Sequence, residues 1–407
     1  MQKTRTRLLL LLGCAAVLSR VALLALTPPS VASYAAHSAD GQRIVLDADS
    51  LGRVPLAPAV DWLLWLTHAV NTLLLGRLLL RAGFPWLAAL ITQIVFALTA
   101  GNLETLGWSV QWSAVLAVSF LLLALWWHEQ HHVSSHSFSW RVHLPLFLLA
   151  AASACSFSRG VLTGAVLSLG MLLPALLLRE GGTAMKRLPG AMLCLLPALA
   201  VAGVIMHYSS GNHQQLGGHW GQVLQFGASY FLLNPGHVLL GGTSLHPAML
   251  LVLAGAKIGV IAAALYFARG RVFHLLLLLL AYDLGSAVLV GVGRYHTGFL
   301  ASLSSRYQYS SLLSTLPFAA LLISLAVERL PRLRHRSWVT TVIVCLLTVY
   351  CLNGWPAALV EFTGWRGTQM RQLMSAPATS DPAVHVPALD FRHIERAKAL
   401  QRAYHLH

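Results

Sequence analysis

VFHLLLLLLAYDLGSAVLVGVGRYHTGFLASLSSRYQYSSLLSTLPFAALLISLAVE, residues 272–328, decides the fold. It holds two apolar runs, 272–292 and 307–328, and about 20 such residues cross a bilayer as a helix. The link between them, RYHTGFLASLSSRYQY (294–309), puts Arg294-Tyr295 and Arg306-Tyr307 at or beside the ends of the two runs. A guanidinium is costly in hydrocarbon, so it needs an anion, a carbonyl or water nearby. Its planar fork suits a phosphate, and a neighbouring tyrosine can lie along a sugar or a lipid headgroup. Snorkelling arginines in an aromatic belt are the plain alternative. Which side of the membrane they occupy decides between the two.

Working outward, the chain repeats the same theme. Its 407 residues are 57% hydrophobic and 10% charged, with a mean hydropathy of +0.67. That composition excludes a soluble domain of this size and specifies an all-α, polytopic integral membrane helix bundle. The net charge of +15 does not indicate a nucleic-acid partner, because the basic residues recur in short clusters between apolar runs. Five cysteines (Cys14, Cys155, Cys194, Cys345, Cys351) lie inside apolar segments without metal-ligand spacing. The ruler gives about eleven spans, near 7–27, 58–81, 85–101, 108–127, 142–157, 160–178, 188–208, 246–268, 272–292, 307–328 and 338–356. MQKTRTR and the apolar run to Leu26 read as an uncleaved first span, with cleavage near Ser33 as the alternative. The bundle therefore covers 1–356, with outer loops at 28–57 and 209–245 and a helical tail at 357–407. Within the second loop, 220–233 (WGQVLQFGASYFLL) reads as an interfacial helix. Phe157-Ser158-Arg159-Gly160 reads as a tight external turn or a re-entrant break.

Orientation follows from lysine and arginine. With the N-terminus inside, fifteen of them, from Lys3 and Arg5 to Arg334 and Arg336, fall on inner loops. The outer loops between spans hold only Arg43, Arg53, Arg159, Arg294 and Arg306, so the chain reads N-in and C-out. Both Arg-Tyr pairs are then external, against the usual bias, which favours function over snorkelling. The same orientation gathers Asp40, Asp47, Asp49, Asp61 and Glu104 on the outer side of the first four helices. On the second helix, Asp61, His68 and Asn71 or Thr72 share one face. A polar stripe within a span faces the bundle interior or a wet cavity. It is either a hydrogen-bond network or part of a site.

Asp47-Ala48-Asp49 is a D-x-D on the first outer loop, a spacing that binds a divalent cation or supplies a base beside a metal ligand. From here a resemblance can be drawn. The order of features is similar to the GT-C class of membrane glycosyltransferases, bacterial cell-envelope enzymes among them. The segments carrying it are WLLWLTHAVNTLLLGRLLLRAG (62–83) and IVFALTAGNLETLGWSVQWSAVLAVSFLLLAL (94–125), with SSRYQY (304–309). His68, Asn71, Glu104 and Trp108 stand where that class has a His and Asn on helix two, then a Glu followed by Trp. The resemblance covers about the first third of the chain well and the rest in outline. It departs in placing Asp47 some way past the first span, where that class has an adjacent acidic pair directly after it. It implies transfer of a sugar from a polyprenyl-phosphate carrier to an acceptor at the outer face of the inner membrane. Asp47 or Asp49 would be base or metal ligand (Mg or Mn), with Glu104 as an orienting acid. Arg306, Tyr307, Arg294, Tyr295, Arg159 and His68 would bind phosphate and substrate.

Two other readings compete. His128-Glu129-Gln130-His131-His132 fits H-E-x-x-H, the intramembrane zinc-protease pattern, without an obvious third ligand. Lys257 and Asp283, inside two consecutive spans at similar depth, form either a structural ion pair or the site of a non-enzymatic carrier or flippase.

Overall fold

The computed structural model describes residues 56–107, 111–131, 138–177, 181–208, 218–241, 246–330 and 337–360. These residues are helical, and no strand occurs among them. Thirteen α-helices follow in order: α1 (Leu56–Ala82), α2 (Trp86–Leu98), α3 (Leu103–Leu106), α4 (Trp112–His131), α5 (Trp140–Ser156), α6 (Val161–Leu177) and α7 (Gly181–Tyr208). Then come α8 (Trp220–Leu232), α9 (Asn234–Leu239), α10 (Pro247–Phe267), α11 (Gly270–Arg294), α12 (Gln308–Arg329) and α13 (Ser337–Asn353). Seven stretches among the described residues are long and apolar enough to span a membrane, or eight if α2 and α3, bent by 51°, count as one broken span. The protein is a multi-pass membrane helix bundle.

Seven or eight of the expected eleven spans are matched by such stretches, and the others are accounted for as follows. The first expected span, 7–27, lies outside the described residues, as does most of the first outer loop. The spans expected at 142–157 and 160–178 are α5 and α6, each only 17 residues long. The 3₁₀ turn Ser158–Gly160 breaks the chain between them. At the other end, the last spanning stretch continues to Val360, past the expected boundary at 356, and residues 361–407 lie outside the described set.

The core sits around α2. Twelve of its 13 residues are buried, which a helix apolar on every side requires. It packs on α1, α12 and α13, and its one amide, Gln93, donates to the Thr72 carbonyl at 3.0 Å. The turn into it is a Schellman cap. Gly83 (φ 92°) donates to Leu80 at 3.2 Å and Phe84 to Leu79 at 3.0 Å, a geometry that needs a left-handed residue. From α1 the bundle continues through α4, α5, α6 and α7, while α11 packs on α6, α8 and α12. Two glycines let α8 and α11 touch backbone to backbone. A Cβ on Gly227 would stand 2.9 Å from the Ala287 carbonyl, and one on Gly291 2.7 Å from that of Val223. In contrast, α10 and α13 are spans with only 17% and 11% of their best window buried. Leu251, Val252, Leu346 and Val349 point outward there, a surface that fits acyl chains.

Candidate functional site

Helix α12 begins immediately after Arg306-Tyr307, and the residues around its first two turns reach three different neighbours. Tyr309 meets the polar stripe of α1. Its hydroxyl lies 3.1 Å from His68 Nδ1 and accepts from Asn71 Nδ2 at 3.0 Å. Asn71 also donates to the Val115 carbonyl at 2.9 Å, and His68 is only 1% exposed. His68 and Asn71 of the expected shared face thus join Tyr309 in a buried network, with His68 among Trp65, Phe96 and Tyr309 rings; the side chain of Asp61 lies outside the described set.

Ser310 receives Arg159. The 3₁₀ turn between α5 and α6 leaves no room for a side chain at Gly160, where a Cβ would collide with the Ser153 carbonyl. It turns Arg159 inward, 8% exposed, to donate from Nη1 to Ser310 Oγ at 3.0 Å. The guanidinium carbon of Arg159 lies 5.4 Å from the Tyr307 ring centroid and 5.8 Å from that of Tyr230. Arg306 approaches the same Tyr307 ring at 5.0 Å. Two cations therefore share one aromatic ring, a contact of roughly 0.5–2 kcal/mol each. Among the described residues neither has a carboxylate within ion-pair distance. Arg306 Nε and the Tyr307 hydroxyl are buried without a hydrogen-bond partner among them. This is a donor-rich, largely buried cluster of two guanidinium groups, a chemistry suited to an oxyanion.

Glu104 stands on the other side of the same turn. Its Oε2 accepts from Ser304 Oγ at 3.0 Å, from Ser305 Oγ, and from the Arg306 backbone N–H at 2.8 Å. Thr105 Oγ1 donates to the Arg306 carbonyl at 3.1 Å. Helix α3 thus grips Arg306 by both ends of its backbone. Glu104 also lines a cavity of about 600 Å³ with Thr99, His237, Ser304, Tyr350 and Asn353. Burial lowers the His237 imidazole below its ordinary value.

The other expected site residues lie apart from this turn or outside the described set. Arg294 is exposed, while Tyr295 is buried and stacks on His219 at 5.4 Å. Asp47, Asp49, Trp108 and His132 lie outside the described residues. Glu129 is held by Arg271, whose Nη2 donates to Oε2 at 3.0 Å and to the Glu129 carbonyl at 2.9 Å. His274 Nδ1 lies 3.5 Å from Glu129 Oε1. No group of three or more His, Cys, Asp or Glu among the described residues is placed to hold a metal ion. Lys257 and Asp283 do pair, Nζ to Oδ2 at 2.8 Å, and Ser314 donates to the same oxygen at 2.8 Å.

The reading of the sequence missed Tyr230, Ser310 and the Ser304-Ser305 pair. One signal was present: Val223, Phe226, Gly227 and Tyr230 fall at i, i+3, i+4 and i+7, a helix face that must be covered. Helix α8 is accordingly packed against α11. No family model matches the chain, and no curated protein or solved structure does.

Proposed function

We propose that the protein transfers a sugar from a polyprenyl-phosphate carrier to a hydroxyl acceptor at the outer face of a cytoplasmic membrane. We read the chain as N-in and C-out, with the unassigned first span completing about eleven crossings. One observation carries the reading: Arg159 and Arg306 converge on Tyr307 with no described carboxylate to neutralise them. An intramembrane guanidinium costs about 2.5–3.5 kcal/mol or more, so a buried one left with a single hydroxyl partner favours an anionic ligand. In the reaction, the acceptor oxygen attacks the anomeric carbon and gives its proton to a carboxylate. The bond from that carbon to the phosphate oxygen breaks, and its electron pair goes to the phosphate, where Arg306 stabilises the charge. Asp47 or Asp49 is the base in this reading and would hold any Mg or Mn ion. Glu104 is the orienting acid, through its grip on Arg306.

The two alternatives draw less support from the site. The charges of Lys257 and Asp283 are spent on each other and on Ser311 and Ser314, as in a structural pair. Glu129, the base of the protease reading, is engaged by Arg271. The test is release of labelled sugar from a polyprenyl-phosphate sugar by purified protein in proteoliposomes. Arg306→Ala is expected to weaken carrier binding by roughly 10- to 100-fold, the loss of one or two charge-assisted hydrogen bonds. Asp47→Asn is expected to abolish turnover with binding kept. Full activity in Asp47→Asn, Asp49→Asn and Glu104→Gln alike would falsify the acidic-loop assignment.

A further inference from the structure

The turn Ser304–Arg306 is a wall with two unlike faces. On one lie Arg159 and Tyr307, buried, and Arg306, half-buried, a positive face. On the other lies the cavity of about 600 Å³, inside the range of about 300–1,000 Å³ typical of small-molecule sites. Neither arginine lines that cavity, and among the described residues no lysine does. Its polar groups are Glu104, His237, Thr99, Ser304, Ser305, Tyr350 and Asn353, set among Leu103, Val238, Leu239, Leu240 and Leu303. A carboxylate with no cation beside it repels a phosphate or sulfate. Nor is it built as a cation site: Oε2 already accepts from two hydroxyls and a backbone N–H, and among the described residues no second acid lines the space. His237 is held toward its neutral form by burial. What remains is a set of hydroxyl, amide, imidazole and carboxylate groups that exchange hydrogen bonds with alcohols, beside walls that suit methylene groups.

We propose that this cavity binds an uncharged, polyhydroxylated amphiphile, a glycoside with an apolar aglycone, its hydroxyls on Glu104, His237 and Asn353 and its chain along Leu239, Leu240 and Leu303. That this ligand is the acceptor rests on the transferase reading; that the cavity selects it does not. The arrangement puts the neutral ligand and the phosphate on opposite faces of one turn, with Glu104 in contact with the first and gripping the backbone of the residue that holds the second. The Tyr350 hydroxyl donates to the Leu239 carbonyl, tying the end of α13 to α9 in the cavity's lining, and Trp355 Nε1 donates to Leu98 at 2.7 Å.

The experiment uses the full chain in lipid nanodiscs and an octyl glucoside carrying a diazirine on its alkyl chain, with crosslinks mapped by mass spectrometry. Labelling is expected in 237–241 and 350–358, competed by unlabelled octyl glucoside and not by octyl phosphate or octyltrimethylammonium. Ala357→Trp, an exposed lining position, is expected to cut labelling about tenfold with the melting temperature unchanged. Leu240→Trp, at the opposite wall, should do the same and stands in if the first variant misfolds. Arg306→Ala should leave labelling intact. Labelling without enrichment at these segments overturns the proposal, as does equal competition by the phosphate or the ammonium compound. Sugar release and photolabelling fail separately, so loss of either reading is recognisable on its own.

Discussion

Glu104 spends one oxygen on two hydroxyls and one backbone N–H, and each of those donors precedes or starts the same short turn. Removing the side chain strands a buried turn at the start of α12. Glu104→Ala is therefore expected to cost about 2 kcal/mol in thermal unfolding in detergent, and Glu104→Gln, which keeps an acceptor, less. The Lys257–Asp283 pair offers a sharper test of the same logic, since both side chains are almost fully buried. Lys257→Met alone leaves a buried carboxylate and should cost about 3–5 kcal/mol. Changing both residues to apolar ones should cost less. Equal, mild losses in both would mean that the two charges do not support each other. This pair was legible in the sequence because consecutive antiparallel spans fix depth by counting. Arg159 was legible as an external arginine and a candidate phosphate ligand, but without its partners. Its partners Ser310 and Tyr307 come about 150 residues later, and no local rule links a turn to a helix that far along the chain.

At the scale of elements, the spans were readable from length and hydropathy, and so was the break at 158–160, whereas the bend between α2 and α3 was not. Fifty-one degrees between α2 and α3 and the turn at 158–160 come from tertiary packing around Asn102, Gly101 and Gly160. Asn102 Nδ2 donates back to the Phe96 carbonyl at 2.9 Å, satisfying a carbonyl near the end of α2. The segment 220–233 was readable as a helix with one apolar face. That the face lands on α11 depends on Gly227 within it and on Gly291, 64 residues further along, whose meaning appears only when the backbones meet. Gly291→Val tests that contact. A branched side chain there must push α8 away from α11, carrying Tyr230 from Arg159, at a cost of about 1–3 kcal/mol. Melting of the purified variant measures the loss. A variant as stable as the parent would show that α8 does not depend on close approach.

For the whole molecule, the basic residues order the proposed topology. Reporter fusions at Arg187 and at His407 are expected on opposite sides of the membrane, Arg187 inside. Both on one side would refute the orientation and, with it, the external position of the Arg306 turn. Helices α10 and α13, least buried of the spans, form the lipid-facing margin, whereas α12 is pinned by Tyr309, Ser310, Ser311 and Ser314 to three different partners.

The ion pair between α10 and α11 also has a history within each molecule's synthesis. Lys257 is the eleventh of 21 residues in α10, so it reaches the middle of the bilayer when that helix inserts. Its carboxylate is 26 residues further along and is still inside the ribosome–insertion machinery at that moment. A lone lysine at mid-depth costs about 2.5–3.5 kcal/mol on insertion scales, enough to hold α10 at the protein-lined gate until α11 arrives. The two helices then leave into lipid as one neutral hairpin. A nascent chain stalled before Asp283 emerges should remain extractable or crosslinked to the translocation pore, and Lys257→Met should release it early.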